Sequence, residues 1–379
     1  MTEAATGQPA SRPASPLRVL VVTIVHHPED ARILHREIAA LRAAGHVVTY
    51  AAPFTAYGAR RPDGVRTLDL PRAHGRDRVG AVRAARALLK REAPAHDVVL
   101  LHDPELLAAS AGLRDADGPV VVWDVHEDTA AAVTLKPWLP GPLRRPVAWT
   151  FRGVEHVVER RRHLLLAEDG YVARFRRPHP VVPNSTVVPA TVEPPGHDRV
   201  VYVGALSRAR GALDLVAAGR LLAGTGITVH LVGGADSQVR DAVAAADAAG
   251  DVVWHGFVPN DEALRLLSGA LAGLSLLHDE PNYRHSRPTK VIEYLAWGVP
   301  VITTPSPPAV ALVESADAGV VVPFEDPEAV AEAVRSLAAD PERVAAMARR
   351  GHEAALRDHD WARDGAAFVS QLERWARAR

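Results

Sequence analysis

The sequence predicts an α/β protein made of two Rossmann-like, doubly wound parallel-sheet domains that face each other across a cleft. Short apolar runs rich in β-branched residues alternate with helical patterns along the chain. This alternation passes through two cycles, and the second cycle begins at Arg199. The length of 379 residues favours two cores, because single cores stop growing near roughly 250 residues.

The first cycle contains five predicted strands. The first strand is followed by an amphipathic helical pattern over 28–44, which Gly45 ends. Further helical patterns cover 78–92 and 104–114. The predicted strands are 18–25, 47–51, 65–70, 97–101 and 120–123.

The second cycle contains six predicted strands, and helical patterns separate each pair. The helix over 288–297 is a crossover between two buried strands, and the segment from 340 to 379 is helical. The predicted strands are 200–203, 228–232, 252–254, 274–277, 299–303 and 320–322.

Composition shifts divide the chain. Residues 1–16 are rich in Ala, Ser, Pro and Thr and predict a flexible tail, since they lack the apolar core of a signal peptide. The first domain spans 17–184 and the second spans 199–360. The turn-rich segment 185–198 between them predicts a hinge. A last helix covers 361–379.

Charge and composition exclude several classes of protein. The 44 basic and 45 acidic residues nearly cancel, which argues against a partner bound through bulk positive charge, such as nucleic acid. The absence of cysteine excludes disulfides and thiolate chemistry. No run reaches the roughly 20 apolar residues of a membrane span. We therefore expect a cytoplasmic protein.

The segment 278–305 carries the strongest chemical signal. Its crossover helix starts with Pro288, which suits a first turn, and Ser286 can cap it. Free backbone amides at a helix start attract phosphate oxygens. Lys290 and Glu293 are three residues apart and share a face, so they offer a cation and a hydroxyl acceptor. A nucleoside diphosphate sugar needs both.

The same segment resembles the GT-B nucleotide-sugar glycosyltransferases of the glycosyltransferase 4 type. Members carry a Glu, seven residues, and a second Glu, followed by a small-residue helix and a Gly-x-Pro-Val strand. Glu293, Gly298, Pro300 and Val301 match this pattern, and His285 stands where the first Glu would be. The sequence looks like the subgroup with Pro-x-Lys before the second Glu.

The resemblance implies a donor site in the second domain. The stretch 202–215 reads as strand, tight turn and helix, and Arg210 with Gly211 matches the family's second basic pair. Ala205 replaces the family's first Arg, for which Arg208 is a candidate substitute. The donor-binding prediction comprises Gly204, Arg208, Arg210, Gly211, Gly233, His285, Ser286, Lys290 and Glu293.

Polar clusters follow three predicted strands of the first domain, and parallel strands deliver such groups to one edge. The strings HHPEDARILHRE, LHDPELL and WDVHED also resemble the same family. By position, His126 matches the family histidine beside the transferred sugar. The acceptor-binding prediction comprises His26, Asp30, Arg32, His102, Asp103 and Glu127.

The resemblance implies transfer of a sugar from a nucleoside diphosphate donor to a hydroxyl acceptor, which is a small molecule, a lipid-linked molecule or a glycan. It also implies retention of configuration, no cofactor and no obligate metal, with the last helix returning to the first domain. The predicted catalytic residues are His126, Arg210 and Lys290.

Other interpretations remain open. The His and Asp clusters could ligate a metal, as in a metal-dependent hydrolase. A GT-B sugar-nucleotide epimerase would share the nucleotide site, and a non-catalytic nucleotide-sugar binder would fit the replacements at Ala205 and His285. The Asp-x-Asp at 115–117 is typical of a turn, with metal binding as the alternative.

Basic and aromatic residues are mixed over 136–162. Such a mixture can anchor a helix weakly at an anionic bilayer, which would place the protein at the inner face of the membrane. The alternative is a solvated helix face packed beside the sheet.

Overall fold

The computed structural model describes residues 15–113, 118–126, 141–280, 283–284 and 287–378, without the side chains of 141–145 and 148. These residues form two parallel six-stranded sheets, which confirms the predicted fold class. Residues 1–14 of the predicted tail and the Asp-x-Asp at 115–117 lie outside the described residues, as do Lys136 and Trp138 in the basic and aromatic stretch.

The first sheet has the order β3-β2-β1-β4-β5-β6, and every pair of neighbours is parallel. Each inner strand is covered on both faces, as parallel sheets require. Its strands are β1 Arg18–Val22, β2 Val47–Ala52, β3 Arg66–Asp69, β4 Val98–Leu101, β5 Val120–Val125 and β6 His163–Leu166.

The second sheet repeats this winding in the order β12-β11-β10-β7-β8-β9, again all parallel. Counted from its own first strand, each sheet therefore has the order 3-2-1-4-5-6. Its strands are β7 Arg199–Val203, β8 Thr228–Val232, β9 Val253–Trp254, β10 Ala272–Ser275, β11 Val301–Thr303 and β12 Gly319–Val321.

Helices cover both sheets. In the first domain they are α1 Ala39–Ala43, α2 Phe54–Tyr57, α3 Arg78–Glu92, α4 Glu105–Ala109 and α5 Gly141–Val158. In the second they are α6 Ala212–Leu222, α7 Arg240–Ala249, α8 Asn260–Arg265, α9 Thr289–Ala296, α10 Pro307–Ala316, α11 Pro327–Ala338 and α12 Pro341–Asp358, and α13 Trp361–Arg377 ends the chain. None of the helices in the described part of the chain combines the length and apolar character that a bilayer crossing requires.

Two features of the first domain differ from the predicted elements. The helix predicted over 28–44 begins as a π-helix, Ala31–Ile38, before α1. Strand β6 was not predicted, because its four residues follow three arginines in a stretch read as basic and helical. In the structure Leu164, Leu165 and Leu166 of β6 are fully buried.

The chain passes between the two domains twice, and the two passages touch. The first lies in 185–198, and the second is the short break between α12 and α13. The Thr186 amide donates to the His359 carbonyl at 3.0 Å, and the Trp361 amide donates to the Thr186 carbonyl at 2.8 Å. The two passages therefore form one hydrogen-bonded junction.

Helix α13 packs on the core of the first domain although it follows the second in sequence. Trp361, Phe368, Val369 and Leu372 join a cluster that includes Leu17 and other residues of the first sheet. The Trp361 indole also donates to the Arg36 carbonyl at 3.1 Å. The end of the chain is thus part of the first domain's hydrophobic core.

Replacing Phe368 with alanine should lower the free energy of unfolding by about 3–5 kcal/mol, because its fully buried ring leaves a cavity. Urea unfolding of the full-length chain measures the change. Leu356→Ala is the control, since Leu356 is 41% exposed in α12. Equal losses in the two variants would contradict the packing of α13.

Candidate active site

The predicted site residues follow the carboxyl ends of strands at the switch points of the two sheets. A switch point lies between β1 and β4 in the first sheet and between β7 and β10 in the second. Open α/β sheets bind ligands outside these strand ends. His102 and His126 come directly after β4 and β5, and Gly204 and Gly233 come directly after β7 and β8.

Glycines bring the backbone of the second domain close together. Gly233 has φ +148°, and a Cβ atom there would lie 2.0 Å from the Gly204 carbonyl oxygen. Gly204 has φ +133°, and a Cβ atom there would lie 3.4 Å from Lys290 Nζ. A side chain at either position would disturb the loops beside Lys290.

Gly211 fixes the turn that carries Arg208 and Arg210. It has φ +75°, and a Cβ atom there would lie 2.2 Å from the Leu276 carbonyl oxygen. The turn is thereby pressed against the chain that leaves β10. Arg210 is half-buried, whereas Arg208 is exposed and has no side-chain partner among the described residues.

Lys290 is the most unusual group of the site. Its ammonium nitrogen is buried without a hydrogen-bond partner in the described part of the chain. It lies 3.7 Å from the centroid of the Tyr202 ring, a cation–π contact. Burial and then the charge of Arg210 lower the pKa of Lys290 well below its ordinary range, although Glu293 opposes them. An anion beside Lys290 and Arg210 would oppose both effects, so the two side chains form an incomplete anion site.

The titratable side chains near Arg210 in the second domain include two tyrosines. Burial opposes its charge, but the nearby Tyr202 and Tyr283 hydroxyl groups outweigh burial and raise the pKa of Arg210. Neither group neutralises the guanidinium. Positive charge therefore accumulates at the end of β7, where the helix α9 also begins, and an anionic ligand would offset it.

Glu293 joins the two domains. Its Oε1 atom accepts a hydrogen bond from Arg36 Nη2 at 2.9 Å, and both side chains are more than nine-tenths buried. Burial raises the pKa of Glu293, while Arg36, Asn260 and Lys290 act in the opposite direction. Glu293, predicted to accept hydroxyl groups, thus lies at the cleft with a cation of the first domain.

Arg32 and Asp124 form the central ion pair of the first domain. Arg32 Nε and Nη2 donate to the two Asp124 oxygens at 2.7 Å each. Burial alone would raise the pKa of Asp124, but Arg32 holds it well below the usual range. Arg32 Nη1 also donates to the Val182 carbonyl and, at 2.9 Å, to the Asn184 side chain.

His126 and His26 face each other beside this pair. Their Nε2 atoms are 2.9 Å apart, so one of them must carry the proton. His126 Nδ1 lies 3.0 Å from Asp124 Oδ2. Burial lowers the pKa of His126, but the hydrogen bond and charge of Asp124 outweigh it and the pKa is raised. The two imidazoles can therefore share a proton at the cleft.

Two of the other predicted acceptor residues, His102 and Asp103, lie deeper. His102 is 2% exposed, and burial lowers its pKa to about 4, so its imidazole is neutral. Asp103 is fully buried and accepts from the Thr23 hydroxyl at 3.0 Å. Asp30 caps the π-helix by accepting from the amides of Arg32 and Ile33. Glu127, His285 and Ser286 lie outside the described residues.

This cluster contains residue types that commonly bind metal ions. Ligand atoms of His102, Asp124 and His126 lie within 4.8 Å of one another. However, the Arg32 guanidinium binds both oxygens of Asp124, and its charge opposes a divalent cation at the same carboxylate. The cluster fits a buried ion pair better than a metal centre.

Sequence reasoning missed Arg36, Glu37, Asn260 and Tyr202. Arg36 follows Arg32 by four residues, so it could have been placed on the same face of the predicted helix. Glu37 follows Arg32 by five, a spacing that shares a face in the observed π-helix but not in the predicted α-helix. The contacts of Arg36 with Glu293 join residues 257 positions apart, and no local pattern signals them.

Comparisons with known proteins add to this geometry. Residues 197–340 match the family described as "Glycosyl transferases group 1". This range begins just before β7 and contains Gly204, Arg210, Lys290 and Glu293. A comparison with curated proteins found no match.

Solved structures share the fold. Sucrose-phosphate synthase from Thermosynechococcus elongatus is 18% identical with a TM-score of 0.72, over 96% of this chain and 100% of that one. HepE from Anabaena in complex with UDP-glucose is 13% identical with a TM-score of 0.66, over 94% and 99%. WaaG, a glycosyltransferase involved in lipopolysaccharide biosynthesis, is 14% identical with a TM-score of 0.65, over 94% and 99%. These likenesses show the GT-B arrangement of two domains.

Replacing Arg32 with methionine should lower the free energy of unfolding by about 3–5 kcal/mol, because it leaves Asp124 buried without its cation. Arg32→Met combined with Asp124→Leu should restore part of this loss, since Asp124 is no longer an unpaired buried charge, whereas Glu37 still lacks its partner Arg32. Urea unfolding of the three proteins measures both effects. A double variant less stable than Arg32→Met would contradict the pairing.

Proposed function

We propose that this chain is a glycosyltransferase that moves a sugar from a nucleoside diphosphate donor to a hydroxyl acceptor. The observation that carries the proposal is the buried side-chain nitrogen of Lys290, which has no hydrogen-bond partner among the described residues and lies near Arg210 at the switch point of the second sheet. A diphosphate supplies the negative charge that this pair lacks. The match of residues 197–340 to group 1 glycosyl transferases supports the same reading.

The reaction breaks the bond between the anomeric carbon and the diphosphate and forms a bond from that carbon to the acceptor oxygen. Negative charge develops on the departing diphosphate, so fixed cations at that point lower the barrier. Arg210 and Lys290 are placed for this role. We propose retention of configuration, with the acceptor proton passing to the leaving phosphate on the same face of the sugar, and no obligate metal.

The remaining polar groups have roles consistent with this reaction. The ribose hydroxyls would donate hydrogen bonds to the Glu293 carboxylate, which also accepts one from Arg36. His126 would face the sugar or the acceptor, with Asp124 fixing its Nδ1 proton. Approach of the two domains would exclude water that otherwise hydrolyses the donor.

The donor is best sought first among UDP-sugars, since the HepE structures hold UDP and UDP-glucose. The test incubates the protein with UDP-, GDP- and dTDP-sugars and a panel of hydroxyl acceptors. Nuclear magnetic resonance of the product gives the anomeric configuration. Conversion of the donor sugar without an acceptor would favour an epimerase, and tight binding without turnover would favour a binding protein.

Arg210→Ala should weaken binding of the preferred nucleoside diphosphate by about 10- to 150-fold, because it removes charge-assisted bonds to phosphate worth about 1.5–3 kcal/mol. Isothermal titration calorimetry measures the affinity. Arg349→Ala is the matched control, since Arg349 is exposed in α12 of the same domain. Unchanged affinity in Arg210→Ala would remove the basis of the proposal.

Binding of the diphosphate should also take up protons at pH values between the lowered pKa of Lys290 in the free protein and its higher pKa in the complex. Burial favours the neutral amine in the free protein, and a bound dianion raises the pKa again, so the lysine gains a proton on binding. Calorimetry in buffers of different ionisation enthalpy measures the uptake. Lys290→Met should abolish this buffer dependence, and its persistence in that variant would assign the proton to another group.

A further inference from the structure

A second concave surface lies far from the cleft. It is a cavity of about 380 Å³ at the edge of the first sheet. Its wall includes His163, the first residue of β6, whereas the candidate active site lies beyond the carboxyl ends of the parallel strands. The cavity therefore opens at the opposite end of the strands. The residues used below are Glu159, Arg160, Arg161, Arg177, His179 and Trp375.

Three guanidinium groups of this cavity are uncompensated. The side chains of Arg160, Arg161 and Arg177 are exposed and have no hydrogen-bond or ion-pair partner among the described residues. Surface arginines commonly pair with carboxylates, as Arg152 does with Glu155 in α5 at 2.9 Å. The concentration of three free guanidiniums around one concavity makes it electropositive.

The one acidic residue that lines the cavity among the described residues, Glu159, offsets only part of this positive charge. Glu159 is 3% exposed, and its Oε2 atom accepts from the amides of Arg176 and Arg177 at 3.0 and 3.2 Å. His179 Nε2 lies 3.4 Å from the same oxygen. This carboxylate therefore fixes the backbone of the loop that carries Arg177, and its single negative charge is outnumbered by the three guanidinium groups.

An aromatic wall completes the cavity. Trp375 of α13 stacks on His163, with ring centroids 4.5 Å apart and an angle of 27° between the planes. The stack joins the last helix to the start of β6. It gives the cavity an aromatic wall in addition to its guanidinium groups, which suits a ligand with both an anionic group and an apolar part.

We propose that this cavity is a second ligand site, which binds a phosphate-bearing molecule through Arg160, Arg161 and Arg177. Guanidinium groups bind phosphate oxygens in a bidentate manner, and phosphate carries enough charge to satisfy more than one of them. This site is separate from the proposed donor site and does not depend on it.

Two sources supply such a phosphate: a free phosphorylated molecule, or the headgroup of an anionic lipid. Helix α5 ends at Val158, next to Glu159 in the cavity wall. Three apolar side chains in its second half are exposed: Trp149 by 78%, Val154 by 45% and Val157 by 52%. Both sources share the same chemistry at the arginines, and two arms of one experiment distinguish them.

The experiment compares Arg210→Ala, in which the cleft arginine is already removed, with the same protein carrying Arg160→Gln, Arg161→Gln and Arg177→Gln in addition. The matched control instead carries Arg83→Gln, Arg343→Gln and Arg349→Gln, which are exposed arginines elsewhere and remove the same charge. Circular dichroism and melting temperature check that all three proteins fold equally.

The first arm titrates inorganic pyrophosphate by calorimetry. The second arm measures cosedimentation with vesicles of phosphatidylcholine containing phosphatidylglycerol, against pure phosphatidylcholine. We expect at least about 10-fold weaker binding in the cavity variant, and no comparable loss in the control, in at least one arm. Loss of pyrophosphate binding assigns a free phosphorylated ligand, and loss of vesicle binding alone assigns a lipid headgroup.

Two results would overturn the proposal. The first is no saturable binding of either probe by the Arg210→Ala protein. The second is an equal loss in the cavity variant and the control, which would show attraction by net charge alone. Since every protein in the experiment lacks Arg210, failure of the proposed donor site leaves the outcome unchanged.

Discussion

The guanidinium of Arg32 is the interaction on which the cleft face of the first domain depends. It neutralises the fully buried Asp124, and it binds the Val182 carbonyl and the Asn184 side chain where the chain leaves the domain. Asp124 in turn fixes the tautomer of His126. One side chain thus sets the charge of the cluster, the orientation of an imidazole and the start of the passage to the second domain.

The two domains bring opposite chemistry to the cleft. The first contributes imidazoles and carboxylates held by Arg32, while the second contributes two basic side chains, Arg210 and Lys290, of which Lys290 lies above the Tyr202 ring. Arg36 and Glu293 cross this division, since each is held by the partner of opposite charge from the other domain. This buried pair exists only while the domains remain close, because separation of the domains would break its hydrogen bond and let water reach both charges.

Much of the fold could be predicted from the sequence, since buried parallel strands produce apolar runs that are readable one at a time. The common helix of Lys290 and Glu293 was also predictable from local sequence, because the two residues are three positions apart between two apolar runs. Strand β6 was missed because its apolar run is short and follows three arginines. Contacts between distant segments could not be predicted, because local spacing does not indicate them. They include the Arg36–Glu293 pair, the burial of Lys290 without a partner among the described residues, and the pairing of Arg32 with Asp124.

The hydrogen-bonded junction of Thr186 with His359 and Trp361 has a mechanical consequence. Two connections that leave a domain at separate points allow it to twist and slide. Two connections that are hydrogen-bonded to each other at one point act as a single pivot. Any swing of one domain against the other then has its axis at this pivot. Displacement grows with distance from it, so the far rim of the cleft travels most and the residues beside the junction hardly move.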